Sequence, residues 1–302
     1  MRVKAIVNPA AGRGRSLHRW ARLAARLSRA GISADMSTTS RPGDGRQLAR
    51  TAVESGFDTL IAVGGDGTAH EVVNGIGVDA LSHVQLAVLG AGTGMDFVRN
   101  AGLARRIPEL AEQMLAGATK QVDVGLCRQG DDLDPLIFVN FAETGLGAAV
   151  VEREANYSDA WPGRLSFFLA ALGAATRESN SPATVSVDGE IVYNGPLVSA
   201  IVANGRFFGG GMKVAPRAGI EDGLLDVLIL GDFTRAQLVA QIWKIYPGLH
   251  VEHPKVLSLR GSSVEIQCAN RQRLDLDGEL YGEGPYHFSV AAQALTVIRG
   301  GP

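Results

Sequence analysis

A two-domain α/β chain is predicted: a doubly wound, mostly parallel sheet over residues 1–122, then an antiparallel β-sandwich over residues 123–290. Three observations predict it. The first 120 or so residues alternate short apolar runs with amphipathic helical patterns, the signature of βαβ units. After Asp123 the texture changes to short β-rich runs punctuated by Gly and Pro, which suits a sandwich. At 302 residues the chain also exceeds what one hydrophobic core usually organises.

The first apolar run, Val3 to Val7, ends in Asn8-Pro9-Ala10-Ala11-Gly12 and leads into a helical pattern. On that helix Arg15, Arg19, Arg22, Arg26 and Arg29 recur at helical spacing opposite Leu17, Trp20 or Ala21, Ala24 and Leu27. Such a helix either packs on the core with a solvated basic face or rests that face on anionic lipid. A turn, Thr39-Ser40-Arg41-Pro42-Gly43, follows the next strand pattern.

The apolar run Thr59 to Val63 closes in Gly64-Gly65-Asp66-Gly67-Thr68 and opens the helical pattern Ala69-His70-Glu71-Val72-Val73-Asn74. There the chain turns sharply, and the first helical N–H groups face whatever sits at the strand end. Those amides and the positive end of the helix dipole both favour an anion, so the turn suits a phosphate. Asp66 would repel a bare phosphate, and its presence points to a bridging cation, most simply the Mg²⁺ of a nucleotide. Gly and Asp also gather in strand-to-helix turns for conformational reasons alone. A third turn, Gly90-Ala91-Gly92-Thr93-Gly94-Met95-Asp96-Phe97, follows the run Val84 to Leu89. Three such turns at three strand ends match the place where open α/β sheets bind ligands.

The second half supplies Thr184 to Val187, Leu197 to Ala203, Leu225 to Leu230 and Ser263 to Gln267 as strand patterns. Leu165 to Leu172 is apolar almost all round, either a buried helix or one wall of an acyl-chain cleft. His250-Val251-Glu252-His253 lacks the spacing of a zinc-protease helix and reads as a surface turn before Pro254. Asp275, Asp277 and Glu279 are too closely spaced for an EF-hand loop. There is no P-loop motif, no dinucleotide fingerprint with its proper glycine spacing, and no Ser/His/Asp arrangement.

Together, NPxxG at Asn8–Gly12, GGDGT at Gly64–Thr68 and GTGxDF at Gly92–Phe97 resemble the catalytic domain of the diacylglycerol kinase and sphingosine kinase superfamily. Asn204 to Met212, Ala215-Pro216, Asp222-Gly223-Leu224-Leu225-Asp226 and Leu276-Asp277-Gly278-Glu279 resemble its soluble bacterial lipid kinase branch. The resemblance implies an NAD kinase-like first domain, to which residues 291–302 return as a final strand. It implies ATP and Mg²⁺ as cofactors and a neutral lipid hydroxyl as acceptor, diacylglycerol first and a sphingoid base or another glycerolipid next. Asn8, Arg13, Thr39, Thr68, Thr93 and the amides of Gly64, Gly65 and Gly67 would hold the nucleotide. Asp66 would meet the metal, Asp96 and Asp123 would add catalytic carboxylates, and Glu279 would be the general base. An exposed Glu titrates near 4.3, so that role requires desolvation or neighbouring carboxylates. Asp222, with carbonyls of Gly219 and Leu224, would bind a second, structural Mg²⁺.

Two residues depart from the family pattern: Met95 stands where Asn is usual, and His70 stands where GGDGT is commonly followed by one residue and then Asn. They keep a nucleotide-binding lipid sensor without catalysis in play. An NAD kinase-like activity is the other alternative, opposed by NPxxG and the GGGM stretch. Composition fits an enzyme of the cytoplasm: 46% hydrophobic residues, 38 glycines, a net charge of −2, and two distant cysteines, Cys127 and Cys268. No secretory signal or apolar span of about eighteen residues is seen, so the chain is expected to be cytoplasmic and to visit a membrane transiently. The expected partners are a lipid substrate at a membrane surface and no nucleic acid, with room for a homodimer.

Overall fold

Val3, Ala5 and Val7 alternate with Ile6 along β1 (Val3–Val7), and all four are buried. A strand buried on both sides belongs inside a layered sheet. The structure is a computed structural model that describes every residue except 93, 131–133, 155–172, 175–179, 270, 271, 301 and 302. The apolar run 165–172 therefore lies outside the described residues. Two compact units emerge, one from Met1–Val124 with Ala292–Pro302, the other from Gly125–Ala291.

In the first unit β1 is followed by α1 (Arg15–Arg29), β2 (Ala34–Thr38), α2 (Asp44–Glu54), β3 (Thr59–Gly64), α3 (Asp66–Ile76) and β4 (Gln85–Gly90). The short α4 (Asp96–Asn100), α5 (Ile107–Leu115) and the start of β5 (Thr119–Gln129) complete the run. The strands pair in parallel in the order β2-β1-β3-β4. The end of the last strand of the chain, Tyr286–Ile298, joins β4 in parallel through Val297 and Leu86. Because the chain steps from β1 out to β2 and back to β3, the winding reverses between β1 and β3. Their carboxyl ends form the kind of crevice where such sheets take ligands.

α1 and α5 cover one face with Trp20, Leu23, Leu27, Ile107, Leu110 and Met114 over Val3, Ala5, Val7, Ile61 and Val63. The register of α1 differs from the expected one at its start: Ser16 is buried and Leu17 is 41% exposed. The cause is a hydrogen bond from Ser16 Oγ to the Asn8 carbonyl, 2.6 Å, which turns Ser16 inward. α2 and α3 pack backbone to backbone, since a Cβ on Gly75 would stand 2.3 Å from the Arg46 carbonyl oxygen. Glu71 fastens the same pair. Its carboxylate accepts the N–H groups of Gly43 at 2.8 Å and Gly45 at 2.7 Å, capping α2 where the helix dipole favours a negative charge.

The second unit is a sandwich of antiparallel strands, with α6 (Leu146–Glu154) and α7 (Arg235–Ile245) outside its ladders. One layer pairs β5 with β6 (Leu136–Phe138). In the same layer β8 (Ser181–Val187), β9 (Glu190–Leu197), β13 (Ser263–Cys268) and β16 (Tyr286–Ile298) run in the order β16-β13-β8-β9. The other layer contains β7 (Phe141–Gly145), β10 (Ser199–Ala203), β11 (Leu225–Leu230), β12 (Val256–Gly261), β14 (Arg273–Leu276) and β15 (Glu279–Glu283). Its order is β12-β11-β10-β7-β14-β15. Phe138, Val185, Val264, Tyr286 and Phe288 from the first layer meet Ala142, Ala200, Val227, Leu274 and Leu276 from the second. The run Leu197 to Ala203, read as one strand from sequence, is two. The chain changes layers at Val198, whose N–H bonds to Leu230 at 2.8 Å, because both faces of the run find apolar cover in different sheets.

The β5–β6 ladder places Gly125 opposite Phe138. A Cβ on Gly125 would lie 1.9 Å from the Phe138 ring, which fills the glycine's space. Gly125→Ala should therefore destabilise the protein by about 1–3 kcal/mol through overpacking, read as a lower denaturant midpoint for the transition. An unchanged midpoint would show that the ring can move aside at no cost.

Candidate functional site

The first unit brings its three glycine turns into contact. Asn8 donates its N–H to the Val63 carbonyl at 3.0 Å and its Nδ2 to Thr68 Oγ1 at 3.4 Å, joining the ends of β1 and β3. Ala91 donates to the Gly64 carbonyl at 2.7 Å, joining β3 and β4. These approaches require missing side chains. A Cβ on Gly12 would fall 2.1 Å from the Ala91 oxygen, and one on Gly64 would fall 2.2 Å from Thr68 Oγ1. Thr39 follows β2 and donates its N–H to Val7 at 2.9 Å, so it borders the same strand ends. Arg13 is exposed, in the left-handed region at φ 59°.

Gly65 caps α3 in an extended conformation without a side-chain cap, and Asp66 is the first helical residue. Asp66 Oδ1 accepts the Phe97 N–H at 3.0 Å, so this carboxylate also fixes the start of α4. Asp96 is buried and ion-paired with Arg99. Asp123, fully buried in β5, accepts the N–H of Gln293 at 2.7 Å, and Gln293 takes a left-handed φ of 51° there. Met95 adopts φ 52° and lays its thioether over Gly90, with Sδ 2.9 Å from where a Cβ would stand. Its bulk thus fills space beside the turn that an amide would have used for hydrogen bonding. His70 is buried within α3, where Asn74 Nδ2 donates to its carbonyl at 3.0 Å. Thr93 lies outside the described residues.

In the second unit, Glu279 opens β15 and is exposed. It follows a two-residue turn, Asp277-Gly278, in which both residues have positive φ (54° and 96°), the geometry of a type I′ hairpin. Asp277 is the buried member. Its carboxylate accepts the N–H groups of Val139 at 2.8 Å, Asn140 at 2.8 Å and Phe141 at 3.1 Å, binding the hairpin to the start of β7. Asp275 is buried beside it. Burial, and then the charge of Glu143, push its carboxyl well above the usual carboxylate range. Glu143 is buried on β7, and desolvation raises its carboxyl to about 7 against hydrogen bonds from Ser199 and Gly147. Sequence reading missed Glu143. Its one signal was a single acid directly after the mostly apolar stretch Ile137-Phe138-Val139-Asn140-Phe141-Ala142.

Asp222 lies in the loop before β11, where Leu224 donates its N–H to Asp222 Oδ1 at 3.2 Å. A Cβ on Gly219 would come within 2.8 Å of Asp222 Oδ2, so the glycine lets the loop close over the carboxylate. Oxygen donors of this kind suit Mg²⁺. Arg260 of β12 already serves them as a cation: it is ion-paired with Asp222, and its Nε is 3.1 Å from Asp226 Oδ2. Asp226 is nonetheless held above the usual range, because burial outweighs the guanidinium. Among the described residues no three His, Cys, Asp or Glu side chains gather to hold a metal. Cys127 and Cys268 are free thiols, and burial pushes Cys127 up to about 12, which leaves it inert.

Comparison with known proteins agrees with this geometry. Residues 2–127 match the diacylglycerol kinase catalytic domain, and residues 141–299 match the YegS C-terminal NAD kinase beta sandwich-like domain. The chain is 30% identical over 300 residues to a diacylglycerol kinase of Mycobacterium tuberculosis, covering 99% of this chain and 95% of that one. It is 26% identical to a diacylglycerol kinase of Bacillus subtilis, covering 98% and 96%. A diacylglycerol kinase crystal structure from Bacillus anthracis superposes with a TM-score of 0.73 at 22% identity, over 99% of this chain and 96% of that one. An NAD kinase from Archaeoglobus fulgidus in complex with ATP shares the fold at TM-score 0.55 and 14% identity, over 99% and 94%. Both structural likenesses speak to the fold. Across both units, the chain belongs to the lipid kinase family built on the diacylglycerol kinase catalytic domain.

Proposed function

We propose that the enzyme transfers the γ-phosphoryl group of Mg·ATP to the hydroxyl of a neutral lipid, with diacylglycerol as the favoured acceptor. The observation that carries this reading is the junction of three turns at the ends of β1, β3 and β4, with Asp66 opening α3 among them. Asn8, Thr39, Thr68, Thr93, Arg13 and the amides of Gly64, Gly65 and Gly67 would cradle the phosphates. An anion there meets first-turn N–H groups of α3 that have no partner within the helix. Asp66 would face the Mg²⁺ that accompanies the nucleotide and neutralises charge on its phosphates. Glu279 would take the acceptor's proton while the lipid oxygen bonds to phosphorus and ADP leaves, with Asp96 and Asp123 as supporting carboxylates.

The acceptor reaches the enzyme from a membrane. Among the described residues no helix is long and apolar enough to cross one. α1 instead presents Arg15, Arg22, Arg26 and Arg29 exposed, with Arg19 half-buried, and has no acidic residue of its own. Burial and then the like charges of Arg22 and Arg15 lower the Arg19 pKa. Among the described residues none of the five makes an ion pair. Such a face gains about 1 kcal/mol per charge near anionic lipid, enough for transient docking from the cytoplasm. A sphingoid base or another glycerolipid as acceptor, and NAD, are separated from diacylglycerol by labelled phosphate transfer from ATP in mixed micelles. The Met95 thioether over Gly90 favours one further reading, a nucleotide-binding sensor, for which nucleotide binding without transfer to any acceptor would be the signature.

Asp66→Asn removes one charge at constant volume and should lower kcat at least tenfold, with weaker Mg²⁺ dependence of ATP binding. Unchanged Mg²⁺ affinity would leave Asp66 as the tether of Phe97 alone.

Asp222, Gly219 and Leu224 would hold a second Mg²⁺ when Arg260 turns wholly to Asp226. In that case Mg²⁺ should raise the Tm of the wild type, and Asp222→Ala should erase the rise. A wild-type Tm indifferent to EDTA would leave the guanidinium as the cation of this loop.

Glu279→Gln keeps shape but cannot accept a proton, so kcat should fall by about 10² to 10⁴-fold with little change in KM for ATP or lipid. The acidic limb of the pH–rate profile should vanish or move. Near-normal kcat with a raised lipid KM would make Glu279 a binding contact.

A further inference from the structure

The face of the second layer that carries Phe141, Ile201 and Ala203 is packed under Phe208, Met212 and Val214. Three buried carboxylates lie on this face: Asp226 of β11, opposite Ala203 and ion-paired with Arg260, and the two residues Glu143 and Asp275. Glu143 shares it because side chains alternate along β7, and β14 sets Asp275 directly across from Glu143 in the antiparallel ladder. Facing residues in such a ladder have Cβ atoms about 5 Å apart.

The groups around the pair are few. From β10, Ser199 Oγ donates to Glu143 Oε1 at 2.5 Å, and Ile201 is apolar. From α6, Gly147 donates its N–H to the same oxygen at 2.8 Å. β14 also carries Arg273, whose guanidinium is taken up by Glu152 of α6 at 2.7 Å. β15 and its turn bring Glu283, opposite Arg273, together with Glu279 and Asp277, and the charges of the last two act on Asp275 in the same sense as that of Glu143. Among the described residues neither Glu143 nor Asp275 makes an ion pair. Two adjacent buried carboxylates without a cation cannot both ionise cheaply, since each charge loses its hydration and repels the other.

Asp275 is mechanically tied to the hairpin. Its Oδ1 accepts the N–H of Gly278 at 2.7 Å, which steadies the turn from which Glu279 emerges opposite Leu276. We infer that Glu143 and Asp275 hold one proton between them at neutral pH, and that Glu143 is thereby a positioning residue for Glu279. With the proton in place, Asp275 keeps its hold on the turn. When the proton leaves, a second buried charge forces the two strands apart beneath Glu279. The inference rests on the role proposed above for Glu279 as the base. The raised carboxyls of both residues support the shared proton.

The sign follows from linkage. A carboxyl raised in the fold contributes its stability fully below the ordinary Glu range, and that stability is lost as pH rises through about 7. The test compares wild type with Glu143→Gln, whose amide mimics the protonated acid. Tm is followed without substrate, and kcat for lipid phosphorylation is followed in parallel, each from about pH 6 to about pH 8.5. The wild type should lose Tm and kcat on the alkaline side, and in Glu143→Gln both alkaline losses should be absent or moved upward. Should that variant not fold, Asp275→Asn and a carboxyl ¹³C titration of the wild type replace it, with one signal expected to titrate near neutrality. Identical pH profiles of wild type and variant, or no carboxyl titrating near neutrality, would overturn the shared proton. A changed Tm profile with an unchanged kcat profile would overturn the positioning role. A changed Tm profile without phosphate transfer to any lipid would sink the kinase reading and uphold the shared proton.

Discussion

The candidate nucleotide site depends on the close approach of three backbone turns, and that approach depends on hydrogen atoms standing where side chains normally would. Gly12 against Ala91 and Gly64 against Thr68 leave no room for a methyl group. Gly90 gives its space to Met95, and Gly92 lies against Gly65. With these contacts the ends of β1, β3 and β4 close into one rim, crosslinked by Asn8, Gly64 and Asp66. Without them the sheet would still form, since its strands pair through the buried runs below. The rim would not.

A second regularity runs through both units: carboxylates fasten backbone. Glu71 holds the start of α2, Asp66 the start of α4, and Asp123 the bend at Gln293. Asp277 gathers three successive N–H groups at the entry to β7, and Asp188 accepts the N–H groups of Ser262 and Ser263 at 2.9 Å each. A carboxylate with two oxygens satisfies several amides at once, and such charge-assisted bonds are stronger than neutral ones. In a fold with long turns between short strands this replaces caps that the helices lack. α7, with its Thr234 and Gln237 capping box, is the exception, since none of α1 to α5 has a side-chain cap at its N-terminus.

Against this background Glu143 and Asp275 stand out, because they are buried carboxylates with few donors and a like-charged neighbour. Asp66 serves the Phe97 amide and Asp277 serves three successive amides, in both cases on a separate segment. The same chemical group thus has three uses here: anchoring backbone, meeting cations at Asp222 and Asp226, and carrying a proton in an apolar layer.

The sequence by itself determined the α/β character of the first unit, the β-rich second unit and the three turns, and it did so because each is a local pattern. A strand ending in glycine before a helix reads the same way whatever packs on it. Tertiary structure decided what local spacing does not encode. Ser16 rather than Leu17 turns inward because its hydroxyl donates to the Asn8 carbonyl. Leu197 to Ala203 breaks into two strands because the chain changes layers, a choice made by β8 as partner in one layer and by β7 and β11 as partners in the other. Asp277 sits in a two-residue turn, and only its distant partners at Val139 to Phe141 make it a buried anchor. Glu143 gains a partner only because β14 lays Asp275 across from it. Apart from the local Ser16 bond, the deciding interactions join separate segments of the chain, and their energetics depend on burial and register rather than on residue type.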